Sequence, residues 1–258
     1  MNDRTNAILL PGVVLPAALA YGSLLDALGD EVDAVAKDLE LYAGDAPPPG
    51  YAIDVEVDGV LRAAEEAGFE RFHLVGYSGG GAVSLALACR HPERLRSLAL
   101  AEPAWAGNWD LSPEEEALWR RFFELSDAGL PDDELMSEFV RMQLRPGVEP
   151  PPPPSGPAPP WMAKRPAGIK ALLAAFRSGG LDRGRLEGFD RPVYFARGEL
   201  SNPDYWGRMG ERLARVFADF TSEVYDGRHH FDPPHRAEPE RFATALRSHW
   251  AGADAARA

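Results

Sequence analysis

Apolar positions in this chain fall into short continuous runs separated by longer stretches in which they recur every three or four residues, a rhythm that predicts strands and helices in turn. Residues 7–10 read as a buried strand, Pro11-Gly12 as the turn after it, and 17–28 as a helix with a mostly apolar face. Residues 32–35 give a second strand. A Pro- and Gly-rich loop at 45–50 leads into a helix over 52–67, where Val57, Val60, Leu61 and Ala64 share a face and Gly68 ends the run. Residues 72–75 form a compact strand, 79–90 a helix of small residues, and 95–101 another strand. Regular alternation of this kind implies a parallel sheet covered on both faces.

The rhythm breaks over residues 103–190. Two acidic amphipathic segments at 113–126 and 132–144 are followed by a proline run at 150–154 and a helix near 167–177. This stretch has the pattern of a helical cap inserted into a core made of residues 1–102 and 191–258. The proline run reads as loop-stiffening within it. Trp105, Trp109, Trp119, Phe122, Phe123, Phe139 and Trp161 are there to line a pocket or to fill the cap's own core. Strand and helix then resume at 193–196, 204–217, 220–225 and 238–250, and no internal repeat is visible.

With 258 residues and 45% apolar composition, the chain can bury a full core. Its formal net charge of −13 opposes binding to nucleic acid or anionic membranes, which points to a small-molecule partner; a monomer or homodimer is expected. The single cysteine, Cys89, falls in a helical stretch and reads as a buried structural thiol. Residues 7–20 imitate the apolar core of a secretion signal. Pro11, Gly12 and Pro16 interrupt them, so strand plus loop is the better reading and a cytoplasmic location is expected.

The chemistry gathers at Gly76-Tyr77-Ser78-Gly79-Gly80, a G-x-S-x-G string entered from an apolar strand and left by a helix. A sharp strand-turn-helix of this kind exposes a serine hydroxyl beside a helix N-terminus, whose N–H dipoles favour developing negative charge. Together with Leu-Leu-Pro-Gly near the start, Ala101-Glu102-Pro103 after the next strand, a cap, and Gly227-Arg228-His229-His230-Phe231 near the end, it makes the chain resemble the α/β-hydrolase fold superfamily along nearly its whole length. The likeness is to a serine esterase or lactonase with an inserted cap. It implies a mostly parallel sheet flanked by helices, here without the usual N-terminal hairpin.

A serine hydroxyl needs a base within hydrogen-bond reach. The candidates are His229, His230 and His235; the resemblance implies His230, three residues after the glycine that closes the last strand and followed by an aromatic residue. His235 reads as solvent-facing or capping, and His73 as packed beside its strand. For the acid, the resemblance implies an aspartate three residues beyond Gly198, but Ser201 stands there. Some relatives carry the carboxylate just after the strand that follows the nucleophile helix, where this chain has Glu102. Asp204 is the alternative acid and Glu199 a third. One oxyanion donor is the N–H of Gly79, the residue after the serine. The resemblance places the other at Val13, in a turn reading Pro11-Gly12-Val13 where relatives usually have histidine first.

The expected activity is hydrolysis of a carboxylic ester or lactone through an acyl-enzyme, with no metal or organic cofactor. The same residues suit thioester or carbon–carbon cleavage. A non-hydrolytic binding protein, or a lyase or cyclase using His230 alone, are the readings from other classes.

Overall fold

The computed structural model describes residues 4–152 and 157–255. Six strands, β1 (Thr5–Leu10), β2 (Val32–Ala36), β3 (Phe72–Tyr77), β4 (Leu95–Ala101), β5 (Val193–Gly198) and β6 (Phe220–Tyr225), form one sheet in the order β2-β1-β3-β4-β5-β6. Every neighbouring pair in it is parallel. The inner strands are apolar on both sides because both sides are covered: Ile8 and Leu10 of β1 enter one core while Ala7 and Leu9 enter the other. The edge strands β2 and β6 are only partly buried, in keeping with their mixed composition.

One face carries α1 (Ala17–Leu28), whose Tyr21, Leu24 and Leu28 meet Phe242, Leu246 and Trp250 of the last long helix in a single apolar cluster. The other face carries α2 (Ile53–Glu66) and α3 (Gly79–Arg90). Between β4 and β5 the chain contributes α4 (Pro113–Asp127), α5 (Asp132–Met142), α6 (Arg165–Ser178) and α7 (Arg183–Glu187), and their apolar faces join that same second cluster. Of the proline run, Pro153 and Pro154 lie outside the described residues. After β5 come α8 (Arg208–Ala214), then, following β6, α9 (Pro234–Ala237) and α10 (Pro239–Ala255). No helix of the described residues is long and apolar enough to cross a membrane.

Two expected elements are revised. The helix expected over 204–217 opens instead as a wide π turn, Pro203–Gly207, and regular α8 is short. Asn202 caps the turn through Asp204 N–H, 3.0 Å, and the wide winding sends two consecutive aromatics inward: Trp206 Nε1 donates to Pro103 O at 3.1 Å and Tyr205 donates to Ala104 O. Helix α5 stops at Met142 rather than 144, because Leu144 leaves it to bridge Ser201 and Arg145 N–H donates to Leu200 O at 2.9 Å.

The order reverses between β1 and β3, so the loops leaving their C-terminal ends diverge and open a crevice above the sheet. The turn after β1 and the elbow after β3 face each other there.

Candidate active site

Ser78 leaves β3 with φ 52° and ψ −117°, in the left-handed region that costs a non-glycine residue about 1–3 kcal/mol. Three hydrogen bonds hold it: Ser78 N–H donates to Ala101 O at 3.1 Å, and Ser78 O accepts from Ala82 N–H at 3.1 Å and Ala104 N–H at 2.8 Å. Helix α3 starts immediately and lies against β1, where Gly80 N–H donates to Pro11 O at 3.0 Å. A Cβ on Gly80 would overlap Leu10, so only glycine admits this approach.

The end of β4 repeats the device. Glu102 has φ 46° and is fixed by its N–H to Ala196 O, 3.1 Å. Its side chain turns back toward the sheet, where Oε1 accepts Gly198 N–H at 2.8 Å and Oε2 lies 2.8 Å from His230 Nδ1. The other ring nitrogen, His230 Nε2, is 3.1 Å from Ser78 Oγ. A carboxylate only accepts, so Nδ1 carries the hydrogen and Nε2 is left to accept from the serine hydroxyl. All three side chains are nearly out of water, at 4% exposure for Ser78, 3% for Glu102 and 2% for His230.

Burial is the main influence on His230 and pulls its pKa below the ordinary histidine value, against the upward effect of the hydrogen bond and charge of Glu102. The indole of Trp206 stacks on the imidazole with centroids 4.1 Å apart and 14° between planes, and Tyr77 OH donates to His230 O. The ring is thus fixed from three sides.

The turn after β1 backs onto the serine: a Cβ on Gly12 would stand 3.0 Å from Ser78 Cβ, and one on Gly79 would stand 2.9 Å from Val13 Cγ1. Tyr42 OH donates to Val13 O at 2.8 Å and Tyr21 OH to Leu10 O at 2.7 Å, so two tyrosines brace this turn. Among the described residues, no hydrogen-bond acceptor takes the N–H of Val13 or of Gly79.

The other candidates lie apart. Asp204 is exposed on the π turn, and Glu199 Oε2 accepts Gly227 N–H at 2.9 Å, bracing the loop that carries His230. Ser201 is buried, and among the described residues its hydroxyl has no partner. His235, expected at the surface, is buried instead: α9 turns it inward between Tyr21 and Tyr77, at 4.9 and 4.7 Å between centroids. His73 is buried against Ser97 Oγ, 2.9 Å.

A narrow apolar cavity opens over Ser78, walled by Val13, Phe122 and Phe139, by Ile169, Leu172 and Phe176 of α6, and by Tyr205 and Gln143. Of the aromatics singled out in the sequence, Phe122 and Phe139 reach it, while Trp105 and Trp119 are buried in the helices around it and stack on Phe176 and Phe123. The α6 stripe has a visible signal, since 169, 172, 173 and 176 recur at helical spacing. Gln143, Tyr205 and Trp206 carry no such signal, because their places depend on the π turn and the Leu144–Ser201 bridge.

With this geometry in view, the chain matches the family model described as alpha/beta hydrolase fold over residues 42–231. The chain belongs to the alpha/beta hydrolase fold family. Among curated proteins the chain is similar to the 2-hydroxymuconate semialdehyde hydrolase of Pseudomonas sp. (strain CF600), 34% identical over 108 residues that make up 38% of each chain. The chain spans well under half the length of the curated relatives it matches. Among solved structures it is similar to a hydrolase from Pseudomonas aeruginosa, with TM-score 0.71 and 21% identity over 97% of this chain and 91% of that one. A thermophilic esterase from Thermogutta terrifontis also has TM-score 0.71, with 18% identity over 96% and 90% of the two chains. At these identities the structural likeness speaks for the fold.

Proposed function

We propose that this alpha/beta hydrolase cleaves a carboxylic ester or lactone through an acyl-enzyme on Ser78. The observation that carries the reading is the buried line from Glu102 Oε2 through His230 to Ser78 Oγ, at 2.8 and 3.1 Å, ending on the wall of an apolar cavity. Ser78 Oγ attacks the carbonyl carbon as its proton passes to His230 Nε2, and Glu102 steadies the imidazolium. The carbonyl oxygen, now negative, is held by the N–H groups of Gly79 and Val13. The bond from the carbonyl carbon to the leaving oxygen breaks, and that oxygen takes the proton from Nε2. Water then attacks the acyl carbon, giving its proton to the same nitrogen, and Ser78 recovers it as the acid departs. In a lactone the leaving oxygen stays tethered to the acyl group.

A second reading, hydrolysis of a carbon–carbon bond in a diketone, is favoured by the likeness to a relative named as a semialdehyde hydrolase. The binding-protein reading rests on a missing acid, and Glu102 beside His230 speaks against it.

A fluorophosphonate probe followed by peptide mass spectrometry tests the nucleophile, with the expected adduct on the peptide holding Ser78 and none in Ser78→Ala. A folded protein that stays unlabelled sinks the proposal. A p-nitrophenyl ester panel, in which compact acyl groups outperform long linear ones, separates the ester reading from a diketone substrate.

A further inference from the structure

The cavity over Ser78 is apolar except at one wall, and that wall is built with care. Gln143 is 2% exposed and follows the last turn of α5. Its own N–H donates to Val140 O at 3.1 Å, which leaves Phe139 O without the main-chain donor a continuing helix would supply. The side chain fills that gap: Gln143 Nε2 donates to Phe139 O at 2.8 Å. A carbonyl only accepts, so this bond fixes which end of the amide is nitrogen. Oε1 is the other end of that amide, on a residue that lines the cavity, and among the described residues no hydrogen bond reaches it.

The backbone around it is equally constrained. Gln143 O accepts Asn202 N–H at 3.1 Å, Asn202 Nδ2 donates to Met142 O at 2.8 Å, and Arg145 N–H donates to Leu200 O at 2.9 Å. These bonds attach the end of α5 to the turn after β5, whose Gly198 N–H donates to Glu102. Gln143 is therefore held in fixed relation to Ser78 and His230 rather than on a mobile cap. An amide oxygen with no protein donor on an otherwise apolar wall is a ready acceptor for a hydroxyl or N–H of a bound molecule.

We propose that Gln143 Oε1 is the specificity-determining acceptor of the acyl pocket, selecting acyl groups that carry one hydroxyl or N–H on an otherwise apolar, aromatic or branched body. This rests on the ester-hydrolase reading for its chemistry, but not for its binding.

The probes are p-nitrophenyl esters of 3-phenylpropanoic acid and of its ortho-, meta- and para-hydroxyphenyl counterparts. At least one hydroxy isomer is expected to exceed the parent in kcat/KM. In Gln143→Met, which keeps length and loses the acceptor, the ratio of that isomer to the parent is expected to fall about 10- to 100-fold. A merely structural role lowers both esters together and leaves the ratio alone. Gln143→Leu is the second variant should the first fail to fold, as judged by Tm. A ratio that stays within about twofold of wild type for every isomer overturns the inference. Calorimetric binding of the matching 3-arylpropanols needs no turnover. A Gln143-dependent preference there in a protein that hydrolyses none of the esters sinks the function and keeps the inference; ester hydrolysis without such a preference does the reverse.

Discussion

Replacing Glu102 with glutamine keeps the shape of the site and removes the charge facing His230 Nδ1. Burial already holds the histidine pKa low and Glu102 works against it, so in Glu102→Gln the pKa falls further. The acid limb of the kcat/KM profile, where His230 becomes protonated and ceases to act as base, is expected to move to lower pH. The plateau is expected to drop on the order of 10³- to 10⁴-fold. Stopped-flow or steady-state rates across pH check both, with Asp204→Asn expected to stay near wild type because that side chain is exposed and makes no hydrogen bond to the ring. A Glu102→Gln plateau within a few-fold of wild type removes Glu102 from the reaction. Ser78 and His230 were legible as candidates because each sits in a short local string, Ser78 between residues of the G-x-S-x-G turn and His230 three residues after Gly227. Glu102 was legible only as one of three carboxylates, since choosing among them requires knowing which side chain turns back over the sheet. Trp206 was not legible at all: its stacking on His230 joins residues from different loops through the π turn.

At the scale of elements, the helices between β4 and β5 are pinned to the core by one buried ion pair. Arg212 Nη2 of α8 lies 3.1 Å from Glu115 Oε1 of α4, both side chains 2% exposed, while Nη1 donates to Ala106 O at 2.8 Å. Glu115 also closes the capping box that starts α4, its Oε2 accepting Ser112 N–H at 3.0 Å. Burial lowers the Arg212 pKa and Glu115 opposes it. Arg212→Met leaves Glu115 buried without its partner and is expected to cost about 3–5 kcal/mol in urea unfolding. Arg212→Met with Glu115→Leu is expected to recover part of that, since no lone charge remains. A single variant as stable as wild type contradicts the pinning. The inner strands were readable because burial on both faces of the sheet leaves continuous apolar runs, and α1 because its apolar positions recur at helical spacing. The end of α5 and the opening of α8 were not, since tertiary hydrogen bonds, not propensity, decide where those helices stop and start.

Over the whole molecule, stability toward acid is set in part by histidines that fold neutral. His235 is buried with neither ring nitrogen partnered among the described residues, and burial pulls its pKa down to about 3 from an ordinary 6.5. His73 is pulled down to about 4, again chiefly by burial. Between the folded and ordinary values the unfolded chain binds protons that the folded one refuses, so stability present above pH 6.5 is lost as pH falls toward 3. His235→Leu is expected to flatten the fall in urea midpoint below pH 6 by up to one proton, about 1.4 kcal/mol per pH unit. An unchanged slope refutes the assignment. The position of Glu102 has a different kind of consequence. With the carboxylate carried at the end of β4, the turn after β5 has no proton to manage and instead holds Gln143 in place. On the proposed roles, the acid sits at the end of β4 and the acyl selector at the end of α5, so Gln143 can vary toward new substrates without displacing the carboxylate.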